Sequence, residues 1–549
     1  MVAEKRSTPD TTADAQAKRI ATSHTLGTSA AFTSKASVYR HESRPNPFGI
    51  RPLGNMLLDG GSFTTRNSGL GAFSGLDDHL LLELIATAFS CAHPCSIETM
   101  FTATEGDRAL NRLAQTSRAW YCLVSNDGVW RQRTISRFGG NFKYMNSWRD
   151  TFKYTILVNQ FRLSDFIPDQ PLRVSGMYSD LLYTSWRCAT VPLDHLCGIG
   201  IDNISRRNNL SLSDFLQEYA KPNLPVILTD VVREWPAFKK WSTDFFMDHH
   251  GSKTFKAEAV DISFANYAEY ARHAQEEAPL YLFDKGFTND TFLSADYVVP
   301  KYFSQDLFQV LGDNRPDYRW LIIGPARSGS TFHIDPNSTS AWNAVITGAK
   351  KWILYPPECI PPGVFPSKDG SNVTSPVSLA EWFMNYYQEI HSSAGASNQN
   401  TKCTPKPIEC ICRAGEMIFV PNGWWHCVMN LTDSIAITQN FVSSENLVNV
   451  LDFLEFKPDQ VSGFCNPNPY SLFFNALKEK MPNVLEEAQA SRSLIKHENS
   501  TCTITKSISH NDQTKATLKQ SMWHQLTAQS EDTADSIESG GGFTFNFEI

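Results

Sequence analysis

Three side chains in this chain carry a chemistry that packing alone does not require. Residues 329–336 read Gly-Ser-Thr-Phe-His-Ile-Asp-Pro, and residues 421–426 read Pro-Asn-Gly-Trp-Trp-His. In an extended strand, side chains two apart share a face, so His333 and Asp335 present an imidazole and a carboxylate together. His426 arrives from a distant segment with a second imidazole. Two histidines and one carboxylate occupy one face of an octahedral ion and leave positions open. That set suits non-haem Fe(II), which must also hold a cosubstrate and dioxygen. A His-x-Asp triplet alone arises often by chance, and its bland reading is a surface histidine beside an Asp-Pro turn.

The elements that must position these groups are legible around them. Thr-Ser-Ala-Trp-Asn-Ala follows the first ligands at 339–344, then Gly-Ala-Lys-Lys-Trp-Ile-Leu-Tyr-Pro-Pro at 348–357. Glu-Met-Ile-Phe-Val-Pro at 416–421 precedes the last ligand, and Ala-Ile-Thr-Gln-Asn-Phe at 436–441 follows it. Each run is short, rich in β-branched or aromatic residues, and most end at Pro or Gly, which is the pattern of strands. Many short strands without long helices between them indicate a double-sheet jelly roll of the cupin kind.

On these motifs the stretch 329–441 resembles a JmjC domain, in the phosphatidylserine-receptor branch whose members are arginine demethylases and lysyl hydroxylases. The resemblance implies a double-stranded β-helix, mainly β with flanking helices. It implies Fe(II) held by His333, Asp335 and His426, with no departure at any ligand position. It also implies 2-oxoglutarate held by Lys350, Thr438, Asn343, Tyr281 and Ser330. Lys350 and Lys351 point opposite ways by the period-2 rule, so one of the pair faces the barrel. The register against the family selects Lys350, a point charge suited to a carboxylate.

At 549 residues the chain is too long for a single core. Its net charge of −8 argues against a broad nucleic-acid-binding face. The N-terminus has no apolar stretch behind Lys5-Arg6, and no run reaches membrane-spanning length. A non-secreted protein of nucleus or cytoplasm is therefore expected, with its 12 cysteines reduced. Cys403, Cys410, Cys412 and Cys427 lack the paired knuckles of a zinc site and read as buried or loop thiols, as do Cys91 and Cys95.

Along the chain, residues 1–69 are polar, without hydrophobic periodicity, and are expected to be a disordered tail. Residues 70–160 read as a helical module, with apolar periodicity at 76–85 and 108–123. Within it, Leu-Ala-Gln-Thr-Ser-Arg-Ala-Trp-Tyr at 113–121, followed by Val-Trp-Arg at 129–131, resembles the end of an F-box. Residues 90–106 look like an insertion in that motif. The F-box resemblance implies a Skp-type adaptor of an SCF ubiquitin ligase docked on a leucine-rich face, and a module separable from catalysis. Residues 161–193 form a connecting region with no assigned element.

The catalytic jelly roll is expected over 195–455. It opens with a helix at 212–219, where Ser211 and Asp214 stand at capping-box spacing, and a strand at 225–230. Tyr281 lies in a short strand at 281–284. Polar loops at 367–377 and 392–402 flank a helix at 379–390, an insertion of the kind that covers a site mouth or meets substrate. Helical patterns at 447–454 and 469–485 suggest a pair packing on the barrel or a homodimer element, within a C-terminal segment at 456–490. Residues 491–549 are largely a disordered tail, ending in alternating Phe543, Phe545 and Phe547.

The leading function is a protein oxygenase dependent on Fe(II) and 2-oxoglutarate that hydroxylates a lysyl side chain in a basic segment. An arginine or lysine demethylase of histones or other proteins is the first alternative. A non-catalytic F-box substrate receptor and a different metal cupin are the others. The intact ligand set, with Lys350 and Thr438, argues against the last two.

Overall fold

The computed structural model describes residues 46–60, 64–88, 103–159, 166–198, 200–391 and 406–494. The loop at 392–402, Cys91, Cys95, Cys403 and the terminal phenylalanines lie outside the described residues, as do most of the two tails.

Among the described residues fifteen strands run in chain order: β1 Arg206–Arg207, β2 Val226–Leu228, β3 Thr254–Ala257, β4 Val260–Ser263, β5 Leu282–Asp284, β6 Arg319–Gly324, β7 Gly329–His333, β8 Ser340–Thr347, β9 Ala349–Tyr355, β10 Phe365–Pro366, β11 Val373–Thr374, β12 Ile408–Arg413, β13 Met417–Val420, β14 Trp425–Asn430 and β15 Ser434–Phe441. Nine form one sheet in the order β1-β2-β13-β8-β15-β6-β5-β3-β4, and four form a second in the order β12-β9-β14-β7. Strands β8, β9, β14 and β15 are buried on both faces, apart from partly exposed ends of β8 and β9. Their near-continuous apolar runs follow from that double burial. The two sheets face each other as the expected jelly roll. Their inner faces meet across a lumen, and their outer faces are covered by helices.

The Ser211 hydroxyl accepts from Asp214 N at 3.0 Å and starts the helix entering the barrel. That helix is α-helical over Leu212–Phe215 and widens to a π-turn over Leu216–Ala220. On the small sheet, helix Leu379–His391 packs on the outer face, with Trp382 edge-on to Phe332 at 4.9 Å. The 379–390 insertion therefore braces the back of the ligand-bearing strands, where a cover over the site mouth was expected. Helix Asp180–Thr190, in the unassigned 161–193 stretch, lies against it with Cys188 Sγ 3.7 Å from Met384 Sδ. The helices Leu447–Phe456 and Pro469–Lys480 bury Leu451, Leu454 and Phe473 against the 3-10 stretch Leu307–Asn314, Phe473 meeting Phe308 at 4.8 Å.

Two expectations need correction. Residues 46–60 and 64–69, inside the expected 1–69 tail, are folded. Thr64 caps helix Thr65–Leu70, and Val174 N donates to Phe48 O at 2.8 Å. These residues lack periodicity because they are pinned by a partner strand-like segment far along the chain. The helical module also has no core of its own. Leu81, Trp120, Trp130 and Trp148 are continuous with Tyr270, Leu282 and Ile323 of the barrel side in one cluster.

Candidate active site

His333 ends β7, and His426 sits opposite it on β14 as a direct register pair. Their ring centroids are 4.2 Å apart. Asp335 follows on the turn before β8, and one ligating atom from each of the three lies within 4.8 Å of the others. His333 Nδ1 lies 2.7 Å from the Thr331 carbonyl and His426 Nδ1 lies 3.0 Å from the Trp424 carbonyl. A carbonyl only accepts, so each Nδ1 carries a proton and Nε2 is the atom left to offer a metal. Trp352 stacks on His426 at 5.9 Å.

With a metal on both Nε2 atoms the carboxylate would be the one charged ligand, and it is poorly served by its surroundings. Asp335 Oδ2 is buried without a hydrogen-bond partner. Burial pushes the Asp335 carboxyl up and the His426 imidazole well down from their ordinary ranges. A buried acceptor with no donor is costly unless a cation meets it, so a divalent ion fits this set. The Asn440 amide favours the Asp335 carboxylate and also donates to Thr339 Oγ1 at 2.8 Å.

Deeper in the lumen is a cradle for an anion. Lys350 is fully buried, and its Nζ donates to Tyr281 Oη at 2.8 Å and Asn430 Oδ1 at 2.7 Å. Both partners are neutral, and desolvation pushes the Lys350 ammonium down to about 7. A buried ammonium held only by neutral oxygens asks for an anion. Lys351 points to the opposite face, where its ammonium meets the Glu409 carboxylate at 2.8 Å. Both lysines are fully buried, but only Lys350 faces the lumen.

The other expected residues gather around this cradle. Thr438 and Asn343 are register partners on β15 and β8 and share the lumen face with Ala341 and Ala436. Asn343 Oδ1 is buried and unpartnered. The Thr438 hydroxyl donates to the Trp342 carbonyl at 2.9 Å, so it must rotate before it can donate to a carboxylate.

Ser330 is the case that strict alternation gets wrong. Three residues from His333, it belongs on the opposite face. The pairing shifts between His426↔His333 and Val428↔Ser330, leaving one extra residue on β7. This bulge returns Ser330 to the lumen face with Val428. Asn430, Asn440 and Trp320 were not singled out from sequence. Asn440 stands two residues after Thr438, and the same period-2 rule places it on the lumen face.

Among the described residues the buried thiols do not form a metal knuckle. Cys410 and Cys412 pack with Trp352 inside the barrel, and Cys427 packs with Phe332 on the other face of the small sheet.

A cupin barrel with this triad and cradle defines a metal-dependent oxygenase scaffold. A cupin-like domain family matches residues 212–446. The chain is 42% identical over 446 residues to the arginine-specific demethylase JMJ22 of Arabidopsis thaliana, covering 80% of this chain and 83% of that protein. It is 35% identical to the bifunctional arginine demethylase and lysyl-hydroxylase psr-1 of Caenorhabditis elegans, over 52% of this chain and 70% of that one. It is 28% identical to the 2-oxoglutarate and iron-dependent oxygenase JMJD4 of Homo sapiens, over 48% and 69% respectively. The chain belongs to the JmjC family of cupin-fold dioxygenases that depend on iron and 2-oxoglutarate.

His333, Asp335 and His426 would hold the iron, and Lys350 with Tyr281 would hold the far carboxylate of 2-oxoglutarate. When bound, these groups supply oxidation of a substrate C–H bond by dioxygen, with 2-oxoglutarate converted to succinate and carbon dioxide. The chain's own part is to orient and to exclude water. Tyr281 and Asn430 aim the ammonium, and Trp352, Val428 and Ile322 dry the lumen.

Proposed function

We propose that this oxygenase hydroxylates carbon on a lysyl side chain within a basic protein segment. The observation that carries the oxygenase chemistry is the pairing of an open His-Asp-His set with an ammonium lacking a charged partner. The choice of hydroxylation rests on the aromatic residues. A cage for a methylated ammonium needs aromatic faces turned to the substrate. Trp342 and Trp425 are packed in the outer layers, the Trp424 indole donates to Asn223 O at 2.8 Å, and the Tyr281 hydroxyl is held by Lys350. Phe283 packs on Trp320 at 5.4 Å.

Hydroxylation inserts one oxygen atom of O₂ into the substrate C–H bond, and the other enters succinate. Mass spectrometry of unmethylated lysyl peptides from basic proteins tests this: one added oxygen per succinate is expected, without formaldehyde. A second reading, arginine N-demethylation, is favoured by the name of the 42% identical relative. Turnover confined to methylarginyl peptides, with formaldehyde equal to succinate, decides for it.

We further propose that helix Asp78–Ala88 docks a Skp-type adaptor. Leu80 and Leu84 are about half exposed one turn apart, while Leu81 and Ile85 are buried. That is the face a helix-in-groove contact uses. Leu80→Glu with Leu84→Glu should abolish adaptor pull-down and leave succinate formation intact. Equal pull-down by the double variant refutes the docking face. No described helix is long and apolar enough to cross a membrane. The free buried thiols support a reducing compartment, nucleus or cytoplasm.

A further inference from the structure

The cosubstrate residue Tyr281 stands at the end of a short connection, residues 276–281, that leaves helix Phe264–His273 and enters β5. Within the domain, the Tyr267 hydroxyl donates to the Leu280 carbonyl at 3.0 Å and accepts from Leu282 N, and a further hold comes from outside the jelly roll. Arg131, on helix Asp127–Phe138 of the N-terminal module, reaches it with one terminal nitrogen and Glu258 with the other. One guanidinium nitrogen donates to Glu276 Oε2 at 3.1 Å and to the Ala278 carbonyl at 2.8 Å. The other donates to Glu258 Oε2 at 3.0 Å, and Glu258 N donates in turn to the Tyr281 carbonyl at 3.1 Å.

The second Glu276 oxygen accepts from the Tyr270 hydroxyl at 2.6 Å, and that hydroxyl accepts from Leu280 N at 2.8 Å. Tyr270 is itself clamped by module aromatics, Tyr144 at 5.0 Å and Trp148 at 5.5 Å. Glu258 sits at φ +52, a left-handed conformation a glutamate adopts only when its surroundings hold it there.

We propose that Arg131 is a positioning residue for 2-oxoglutarate: by fastening 276–281 and Glu258 it sets the Tyr281 phenol that aims the Lys350 ammonium. The physical case is one of over-determination. A planar guanidinium satisfies two carboxylates and a backbone carbonyl in one plane, a geometry that a lysine or a methionine does not reproduce. Where the 276–281 backbone enters β5 sets the position of Tyr281 Oη relative to Lys350. A shift of about 1 Å there separates phenol from ammonium, and misplacements of that size cost orders of magnitude in well-aligned sites. The helical module thus completes the cosubstrate cradle, in addition to any adaptor it carries.

The test uses the full chain loaded with Mn(II), which allows 2-oxoglutarate binding to be read by calorimetry without turnover. Arg131→Met is compared with Arg137→Met, on the same helix. Arg137 pairs with Asp107 inside the module and does not touch 276–281. Expected for Arg131→Met is a tenfold or larger rise in 2-oxoglutarate Kd, with KM rising in step and kcat within twofold. Arg137→Met should leave Kd unchanged even where its melting temperature falls as far. Glu258→Gln, which keeps an acceptor but loses the charge, should give a smaller rise and covers the case in which Arg131→Met fails to fold. An unchanged Kd in Arg131→Met, or in Glu258→Gln where only that variant folds, overturns the proposal. Equal Kd shifts in Arg131→Met and Arg137→Met also overturn it, because the effect is then general loosening.

Discussion

His333, Asp335 and His426 would each supply one of three protein ligands to a metal, and Asp335 Oδ2 has no hydrogen-bond partner. Replacing any of them with Ala should abolish succinate formation, exceeding the ~10–100-fold loss typical of residues one shell further out. Retained turnover in His426→Ala would refute the metal assignment. The two adjacent lysines should fail in different ways. Lys350→Ala removes the charge for the cosubstrate carboxylate and should raise the 2-oxoglutarate KM by an amount on the order of 2–5 kcal/mol, at near-normal stability. Lys351→Ala leaves the buried Glu409 carboxylate with only the Tyr387 hydroxyl and the His391 imidazole beneath helix Leu379–His391, and should cost up to ~3–5 kcal/mol of folding stability. Calorimetric melting and steady-state kinetics separate the two.

The Lys350 ammonium also sets a pH dependence. Its pKa in the folded protein is pushed down to about 7 from a lysine's usual value near 10.4, so the unfolded chain binds more protons between those values. Its contribution to folding stability therefore rises with pH across that window. Anion binding needs the charged form, so 2-oxoglutarate Kd should climb above pH 7 by up to about tenfold per unit. Lys350→Ala should flatten that slope, and an unchanged slope would assign it to another group.

At the scale of elements, the site depends on how β7 meets β14. The bulge between Ser330 and His333 puts both on the lumen face. Gly329, just before it, passes so close to β14 that an added Cβ would lie 1.9 Å from the Val428 carbonyl oxygen. That contact is far inside van der Waals distance, and both partners are fixed in a sheet. Gly329→Ala should therefore push β7 off β14, lowering the melting temperature and weakening Mn(II) binding together. Unchanged metal affinity in a folded Gly329→Ala protein would show that the His333–His426 pairing does not depend on this approach.

At the scale of the whole molecule, the helical module and the barrel share one core. Trp130, Trp148 and Tyr144 of the module pack in the same cluster as Tyr270 and Leu282, and Arg131 is half-buried in the seam with Glu258 and Glu276. Elements that bury each other's apolar surface unfold together. Calorimetry of the full chain should show the helices and the barrel melting in one transition. Two resolved transitions, with the barrel keeping 2-oxoglutarate binding after the first, would restore the separable module that the F-box resemblance implies.

The amino-acid sequence determined the barrel, the His-Asp-His set proposed to hold the metal and the inward lysine. These are written locally: His333 and Asp335 lie two residues apart where β7 runs out into a turn, short apolar runs between Gly and Pro make jelly-roll strands, and the Lys350-Lys351 pair guarantees one inward cation. The tertiary structure decided what alternation cannot reach. It returned Ser330 to the lumen through a bulge that exists only in the pairing with β14. It chose Asn430 and Asn440, about 80 and 105 residues from the Lys350 and Asp335 groups they serve, as partners. It turned the Thr438 hydroxyl onto backbone and fused the helical module to the barrel through Arg131. The physical reason is the same in each case. Periodicity reports which face a residue takes within its own element, whereas register and the filling of a shared core are set by residues that meet only when the chain has folded.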